Sequence, residues 1–253
     1  MYAPERHHAI VQTARAEGRV EVVTLAAALG VTPETVRRDL TTLEQRGLLR
    51  RVHGGAIPVD RLELEPTLSN RRTRASAEKR RIAERAIQEL PAEGTVLLDS
   101  GTTTQLIAEL LPADRSITVV TNSVSIAALL QSHPGVSLYV LGGRVRHRTG
   151  AAVGEWLSEA LEGVCVDVAF LGTNGFSVHR GMTTPDQIEA AAKRAMVTAA
   201  RRVVVVADSS KAGQDHFHRF ARPEDVSLLI TDDGLDTDVV EGFVAAGTDL
   251  ALV

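Results

Sequence analysis

The sequence predicts an α/β protein in two parts, an N-terminal winged helix-turn-helix and a C-terminal, mostly parallel α/β domain. Three observations carry that expectation. Residues 24–56 write out helix, turn, helix and a glycine-rich basic turn. From Glu78 onward, continuous apolar runs alternate with helical spacing, and between the two lies a proline-marked stretch of weak periodicity. At 253 residues and 44% hydrophobic content the chain can bury two cores. The expected division is residues 1–57, a linker at 58–77 carrying Arg71, Arg72 and Arg74, and a body at 78–253.

The segment TPETVRRDL is the densest in information. Thr32 is a good N-cap, Pro33 suits the first helical position, and Val36, Leu40 and Leu43 recur on one helix face. That spacing turns Glu34, Thr35, Arg37, Arg38 and Thr41 outward near the helix N-terminus, where side chains reach base edges and phosphates in a major groove. Before it, Thr24 is expected to cap a short helix with Leu25, Ala26 and Leu29, and Gly30 to stop it. An earlier helix near residues 4–17, with Ile10, Val11 and Ala14 apolar, completes a three-helix core. Gly47 is expected to end the reading helix. A strand at 48–52 and the turn His53, Gly54, Gly55, with Arg50 and Arg51, then read as a wing along the phosphate backbone. A solvated amphipathic helix followed by a surface hairpin is the plain alternative. The ordered series of cap, proline, paired arginines and basic glycine turn favours double-stranded DNA as partner.

Charge supports this division of labour. The net charge is −4, yet residues 1–81 hold 15 Lys+Arg against 10 Asp+Glu, and residues 82–253 hold 13 against 22. A mildly basic module is joined to an acidic body, so binding to a polyanion is expected to be salt-sensitive. Cys165 is the only cysteine; it excludes a disulfide framework and is expected to be a buried thiol in a strand-like context. No metal or cofactor is called for. The start of the chain lacks a signal-peptide pattern and no apolar run suits a bilayer, so a cytoplasmic location without membrane association is expected.

In the body, strands are expected at 95–99, 117–121, 137–141, 167–171, 203–207 and 228–231. Helices are expected at 105–111, 124–131, 155–161, 185–200 and 237–246. Ligands of such sheets bind at the carboxyl ends of the strands. There the chain places Asp99, Ser100, Gly101, Thr102, Thr103 and Thr104, a turn fit to hold a phosphate on backbone N–H groups and hydroxyls. Other strand ends supply Asn122; Gly142, Gly143 and Arg144; and Gly172, Thr173, Asn174 and Gly175. Any one of these loops is ordinary turn chemistry, whereas several converging loops point to a polar ligand site. Lysine is scarce, occurring only at Lys79, Lys193 and Lys211, which singles out positions where a compact ammonium is needed. Lys211 follows the strand-end residues Asp208, Ser209 and Ser210. Lys193 lies one turn after Glu189, where an ion pair between the two competes with a ligand role.

TPETVRRDL, LEQRGLLRRVHGGA, EKRRIA, DSGTTT, VVTNS, LGG, FLGTNG and VVVADSSK together resemble the DeoR family of bacterial transcriptional regulators over nearly the whole chain. The resemblance implies a sensor domain related in fold to ribose-5-phosphate isomerase, a phosphorylated-sugar effector, and a homo-oligomer, dimer or tetramer, matching paired operator half-sites. Its reading-helix positions fall on Thr35, Arg37 and Arg38, and its wing on Arg51, His53 and Gly54. Its sensor positions fall on Lys79, Asp99, Gly101 to Thr104, Asn122, Gly142, Gly143, Lys193, Asp208 and Lys211. Ala212 departs from the aromatic residue that the family often carries there. Segments such as RLELEPTLSNR and RHRTGAAVGEW are similar to fructose-operon repressors of high-GC actinobacteria, which implies fructose 1-phosphate as inducer. The competing class is a sugar-phosphate isomerase with an appended DNA-binding domain, using Asp99, Asp208 or Glu189 as base. A DNA-bridging structural protein ranks last, since it needs no polar pocket.

Overall fold

The structure, a computed structural model, describes residues 3–45, 48–52, 54–58 and 68–253; His53 and Gly47, and residues 59–67 of the expected linker, lie outside them. The chain divides into two compact units, Met1–Glu65 and Pro66–Val253.

In the first unit, helices α1 (Ala3–Glu17), α2 (Val22–Leu29) and α3 (Pro33–Gln45) pack with strands β1 (Val20–Glu21), β2 (Leu49–Val52) and β3 (Gly55–Pro58). The strands form an antiparallel sheet in the order β1-β3-β2. Ile10, Val11, Ala14, Leu25, Val36, Leu40, Leu43 and Leu49 fill its core, as the apolar spacing predicts. Gly30 ends α2 at φ 64°, a left-handed conformation that costs a side-chain-bearing residue most of its steric freedom. Thr24 does not cap α2. The helix starts two residues earlier, at Val22, and the Val22 N–H donates to the Gly54 carbonyl at 2.9 Å, so the wing satisfies the helix end instead of a hydroxyl. At the start of α3, Thr32 Oγ1 accepts the Thr35 N–H at 3.2 Å. Asp39, on the buried side of the same helix, accepts Arg6 Nε at 2.5 Å and a bond with His7 Nε2 at 2.9 Å, fastening α1 to α3.

The second unit is built on seven parallel strands: β4 (Gly94–Leu98), β5 (Ile117–Thr121), β6 (Val136–Val140), β9 (Val166–Gly172), β12 (Ala200–Val206), β14 (Leu228–Thr231) and β15 (Asp249–Leu252). Their order is β15-β14-β12-β9-β4-β5-β6. Separate apolar clusters cover its two faces, one around Leu97, Ala169 and Val205, the other around Val96, Phe170 and Val204. The chain order runs outward from β4 through β5 to β6 on one side, and from β9 through β12 and β14 to β15 on the other. A crevice therefore opens between the carboxyl ends of β4 and β9, where the connections leave toward opposite sides.

Three differences from the sequence reading have simple causes. The helix after β4, Thr102–Glu109, begins three residues earlier than its apolar spacing suggests, because polar threonines fill its first turn. The last strand, Asp249–Leu252, and a small antiparallel sheet of β10 (Gly175–Ser177), β11 (Gly181–Thr184) and β13 (His218–Ala221) are too short or too polar to carry a period. Cys165 is exposed rather than buried: it precedes β9 by one residue at the strand's entry, and Arg201 Nε donates to its sulfur at 3.4 Å. No described helix is long and apolar enough to cross a membrane.

Candidate functional site

The first unit presents α3 as its reading face. Glu34, Arg37 and Arg38 are exposed, Thr35 and Thr41 half-buried. Arg37 Nη1 donates to Glu34 Oε2 at 3.0 Å, an exposed i,i+3 pair worth a few tenths of a kcal/mol and easily exchanged for a phosphate. Two bonds hold the wing to this helix: the Arg51 N–H donates to Glu44 Oε1 at 2.8 Å, and Arg51 Nη1 to Thr41 Oγ1 at 3.1 Å. Gly54 turns the wing at φ 77°, with open space where a Cβ would stand. Thr32 is occupied as the helix cap.

The second unit holds an open cleft at the β4–β9 crevice. Three strand ends and one helix pair build it. After β4 come Gly101 and Thr102–Thr104, the first turn of the helix α6 (Thr102–Glu109). After β9 come Gly172 and Thr173, and after β12 come Asp208, Ser210 and Lys211. The fourth wall is Arg71 from the helix α4 (Leu68–Arg72), Lys79 from the helix α5 (Ser76–Ile87), and Arg74 from the turn between them.

The α6 end carries the positive pole of the helix dipole, and its first main-chain acceptor bond is Gln105 N–H to the Gly101 carbonyl at 3.0 Å. The first-turn residues Thr102, Thr103 and Thr104, whose N–H groups have no acceptor within the helix, line the cleft. Thr102 and Thr103 are each more than nine-tenths buried, and among the described residues neither hydroxyl is hydrogen-bonded. Four cations, Arg71, Arg74, Lys79 and Lys211, share the cleft with one carboxylate, Asp208. Burial pushes the Lys79 and Lys211 ammonium groups below their ordinary pKa; Arg71 and Arg74 push them the same way, against the pull of Asp208. Excess positive charge beside unengaged hydroxyls and a helix N-terminus is a site for a polyanionic group such as phosphate.

Beneath the cleft, Lys193 Nζ donates to Asp99 Oδ2 and, at 2.8 Å, to the Gly172 carbonyl, while the Gly172 N–H donates to Asp99 Oδ2 at 3.1 Å. This knot ties the ends of β4 and β9 together. Burial raises the Asp99 pKa against the opposing field of Lys193. The expected Glu189–Lys193 pair does not form: Glu189 accepts Thr149 Oγ1 at 2.6 Å and pairs with Arg146 at 2.5 Å. Lys193 is thus neither a surface ion pair nor a lining residue.

Of the sequence-predicted sensor residues, Lys79, Gly101, Thr102, Thr103, Thr104, Asp208 and Lys211 line the cleft together. The others do not line it. Asn122 Oδ1 accepts the Ser100 N–H at 3.0 Å while its amide donates to the Ala152 carbonyl; Asn174 Oδ1 accepts Thr184 Oγ1 at 3.1 Å. Gly175 pairs with Thr183 and comes so close to Gln214 that a Cβ would lie 1.7 Å from its carbonyl oxygen. Gly142 and Gly143 lead into a hairpin, β7 (Arg144–Val145) with β8 (Ala152–Val153), and Arg144 borders a separate groove with Arg146, His147, Arg148 and Asp186. Sequence reading missed Arg71 and Arg74 as lining residues, having left them in a linker. The basic cluster there was visible, but only the packing of α4 shows where it faces.

Two family models match the chain: a DeoR-like helix-turn-helix domain over residues 6–61 and the DeoR C terminal sensor domain over residues 74–233. The chain belongs to the DeoR family. It is 40% identical over 247 residues to the HTH-type transcriptional regulator GlpR of Haloferax volcanii, covering 98% of this chain and 96% of that one. It is 39% identical to the uncharacterized HTH-type transcriptional regulator FruR of Bacillus subtilis, covering 92% of each, and 34% identical to the putative aga operon transcriptional repressor of Escherichia coli O157:H7, covering 98% and 93%. Among solved structures it is similar to ribose 5-phosphate isomerase A from Methanocaldococcus jannaschii, at 18% identity over 55% of each chain with a TM-score of 0.40. This DeoR-family protein is a DNA-binding transcriptional regulator, and its α/β unit is a sensor rather than an isomerase with an appended reader.

Proposed function

We propose that this regulator represses a carbohydrate operon and leaves its operator when a phosphorylated sugar fills the cleft between β4 and β9. One observation carries the reading: four cations, two unengaged threonine hydroxyls and a helix N-terminus surround a single carboxylate. A phosphate supplies the missing negative charge. Asp208 and the cleft's remaining polar groups are suited to sugar hydroxyls. The family and its relatives' names support a role in regulating an operon of this kind, and fructose 1-phosphate is the first candidate effector to be tested. On the DNA side, Glu34, Thr35, Arg37 and Arg38 read base edges and phosphates while Arg51, His53 and Gly54 follow the backbone. A homo-oligomer, dimer or tetramer, presents paired reading helices to paired half-sites, and the effector favours an arrangement that no longer matches them.

A thermal-shift screen of phosphorylated sugars tests the sensor, since a ligand of the native state raises the melting temperature with its affinity and concentration. The hit is then added to the protein on operator DNA. Release of wild type together with retention of Lys211→Ala at the same effector concentration is expected. Equal release of both would refute the assignment of Lys211.

A further inference from the structure

Resting on the effector-site reading above, we propose that helix α4 and the turn that joins it to α5 are themselves part of the ligand site. Arg71 and Arg74 bind the effector's phosphate, and ligand binding orders helix α4 and the turn that follows it.

The argument begins with what holds that segment. Lys79 is 5% exposed, and its ammonium donates to the main-chain carbonyls of Arg71 and Arg74, each at 2.6 Å. Its third neighbour is Asp208, at 4.0 Å. One buried lysine thus fixes the backbone from which both arginine side chains enter the cleft. At the other end of α4, the Leu68 N–H donates to the Arg148 carbonyl at 3.1 Å. The next carbonyl, that of Thr149, accepts Ser100 Oγ at 2.6 Å, and Ser100 leads directly into the Gly101–Thr104 cradle. Both ends of α4 are therefore hydrogen-bonded to residues that form or support the cleft.

Charge decides what this arrangement does when the cleft fills. Arg71 and Arg74 each add to the lowering of the Lys79 and Lys211 pKa values, so unliganded cations press against one another across the cleft. A phosphate placed among them turns that repulsion into charge-assisted hydrogen bonds from opposite walls. One wall is the sheet end carrying Lys211; the other is a helix of only five residues, too short to be stable by itself. The weaker wall is the one that responds.

The full-length protein is titrated with inorganic phosphate, followed by calorimetry and by ³¹P line broadening. Trypsin then cleaves it with and without saturating phosphate, and cut sites are quantified by mass spectrometry. Arg71→Gln and Arg74→Gln are each expected to weaken phosphate binding about tenfold, the loss of one charge-assisted hydrogen bond. Arg72→Gln, exposed and outside the cleft, is expected to bind as wild type. In wild type, phosphate should slow cleavage after Arg71, Arg72 and Arg74 several-fold relative to sites in residues 3–45. Phosphate binding that Lys211→Ala abolishes, but that Arg71→Gln and Arg74→Gln leave at the Arg72→Gln level, overturns this inference while the effector-site reading stands. Normal weakening by both variants without any change in cleavage overturns the ordering of α4. A wild type that binds no phosphate overturns both readings.

Discussion

Replacing Lys193 with methionine removes the ammonium that faces the Asp99 carboxylate at the floor of the cleft while keeping a side chain of similar reach. Both partners are nearly inaccessible, at 5% and 2% exposure, so the orphaned carboxylate has no water to turn to. The Gly172 carbonyl loses its donor at the same time. Breaking a buried pair from one side costs about 3–5 kcal/mol, and a unit of this size loses roughly 2–4 °C of melting temperature per kcal/mol. The expected drop is therefore about 6–20 °C in the transition of the α/β unit. It should shrink at low pH, where Asp99, already raised by burial, takes up a proton and the orphan charge disappears. The double variant Asp99→Asn, Lys193→Met should recover a large part of the loss, because no uncompensated charge remains buried. Differential scanning calorimetry of wild type, both single variants and the double variant gives the coupling. A single-variant drop under about 2 °C, or a double variant no better than the sum of the singles, would show that the knot between β4 and β9 is not held by this pair.

Three further outcomes follow from the same geometry. Arg37→Ala should weaken operator binding about tenfold or more and lower the salt dependence by roughly one counterion, measured by fluorescence anisotropy across a salt series; unchanged affinity and slope would remove Arg37 from the interface. Asp39 is held below the ordinary carboxylate range by Arg6 and His7 despite burial, so its stabilising effect is present above the unfolded value of about 3.9 and is lost as pH falls through the depressed native one. Asp39→Asn should accordingly flatten the acid limb of the first unit's stability curve, read by circular dichroism; an unaltered acid limb would refute it. Lys79 and Lys211 titrate below the usual lysine value of about 10.4, and a bound phosphate raises both. Phosphate binding should then take up protons between the depressed values and 10.4, seen as buffer-dependent calorimetric heats; equal heats in all buffers in that window would contradict a cationic site.

Much of the fold is legible in the residues because its signals are local. The Val36, Leu40, Leu43 spacing, the cap at Thr32 and the left-handed Gly30 each depend on a few neighbouring positions, and all three appear in the structure. The apolar strands of the parallel sheet are equally plain, since burial on both faces leaves uninterrupted runs at Val203–Val206 and Leu228–Ile230. Elements without such a local signature were misread. Thr24 looked like a cap because its residue type suits one, yet the Gly54 carbonyl, thirty residues away, starts that helix. Cys165 looked buried because its neighbours are apolar, yet strand entry leaves it at the surface.

For the site, the sequence by itself determined the inventory: an exposed basic helix face, a Gly–Thr turn after the first sheet strand, and three lysines in a chain rich in arginine. Those are properties of residue type and near spacing. Which groups share a space was decided only by the tertiary structure. Strand order brings the ends of β4, β9 and β12 together, though they are about 70 and 35 residues apart in sequence. It sends Lys193 to Asp99 and not to Glu189, one turn away, because each buried carboxylate takes its own cation, Glu189 pairing with Arg146 and Asp99 with Lys193. It also folds Arg71 and Arg74 into the cleft. Pairing across a sheet and the burial of charge are long-range events, and no window of neighbouring residues records them.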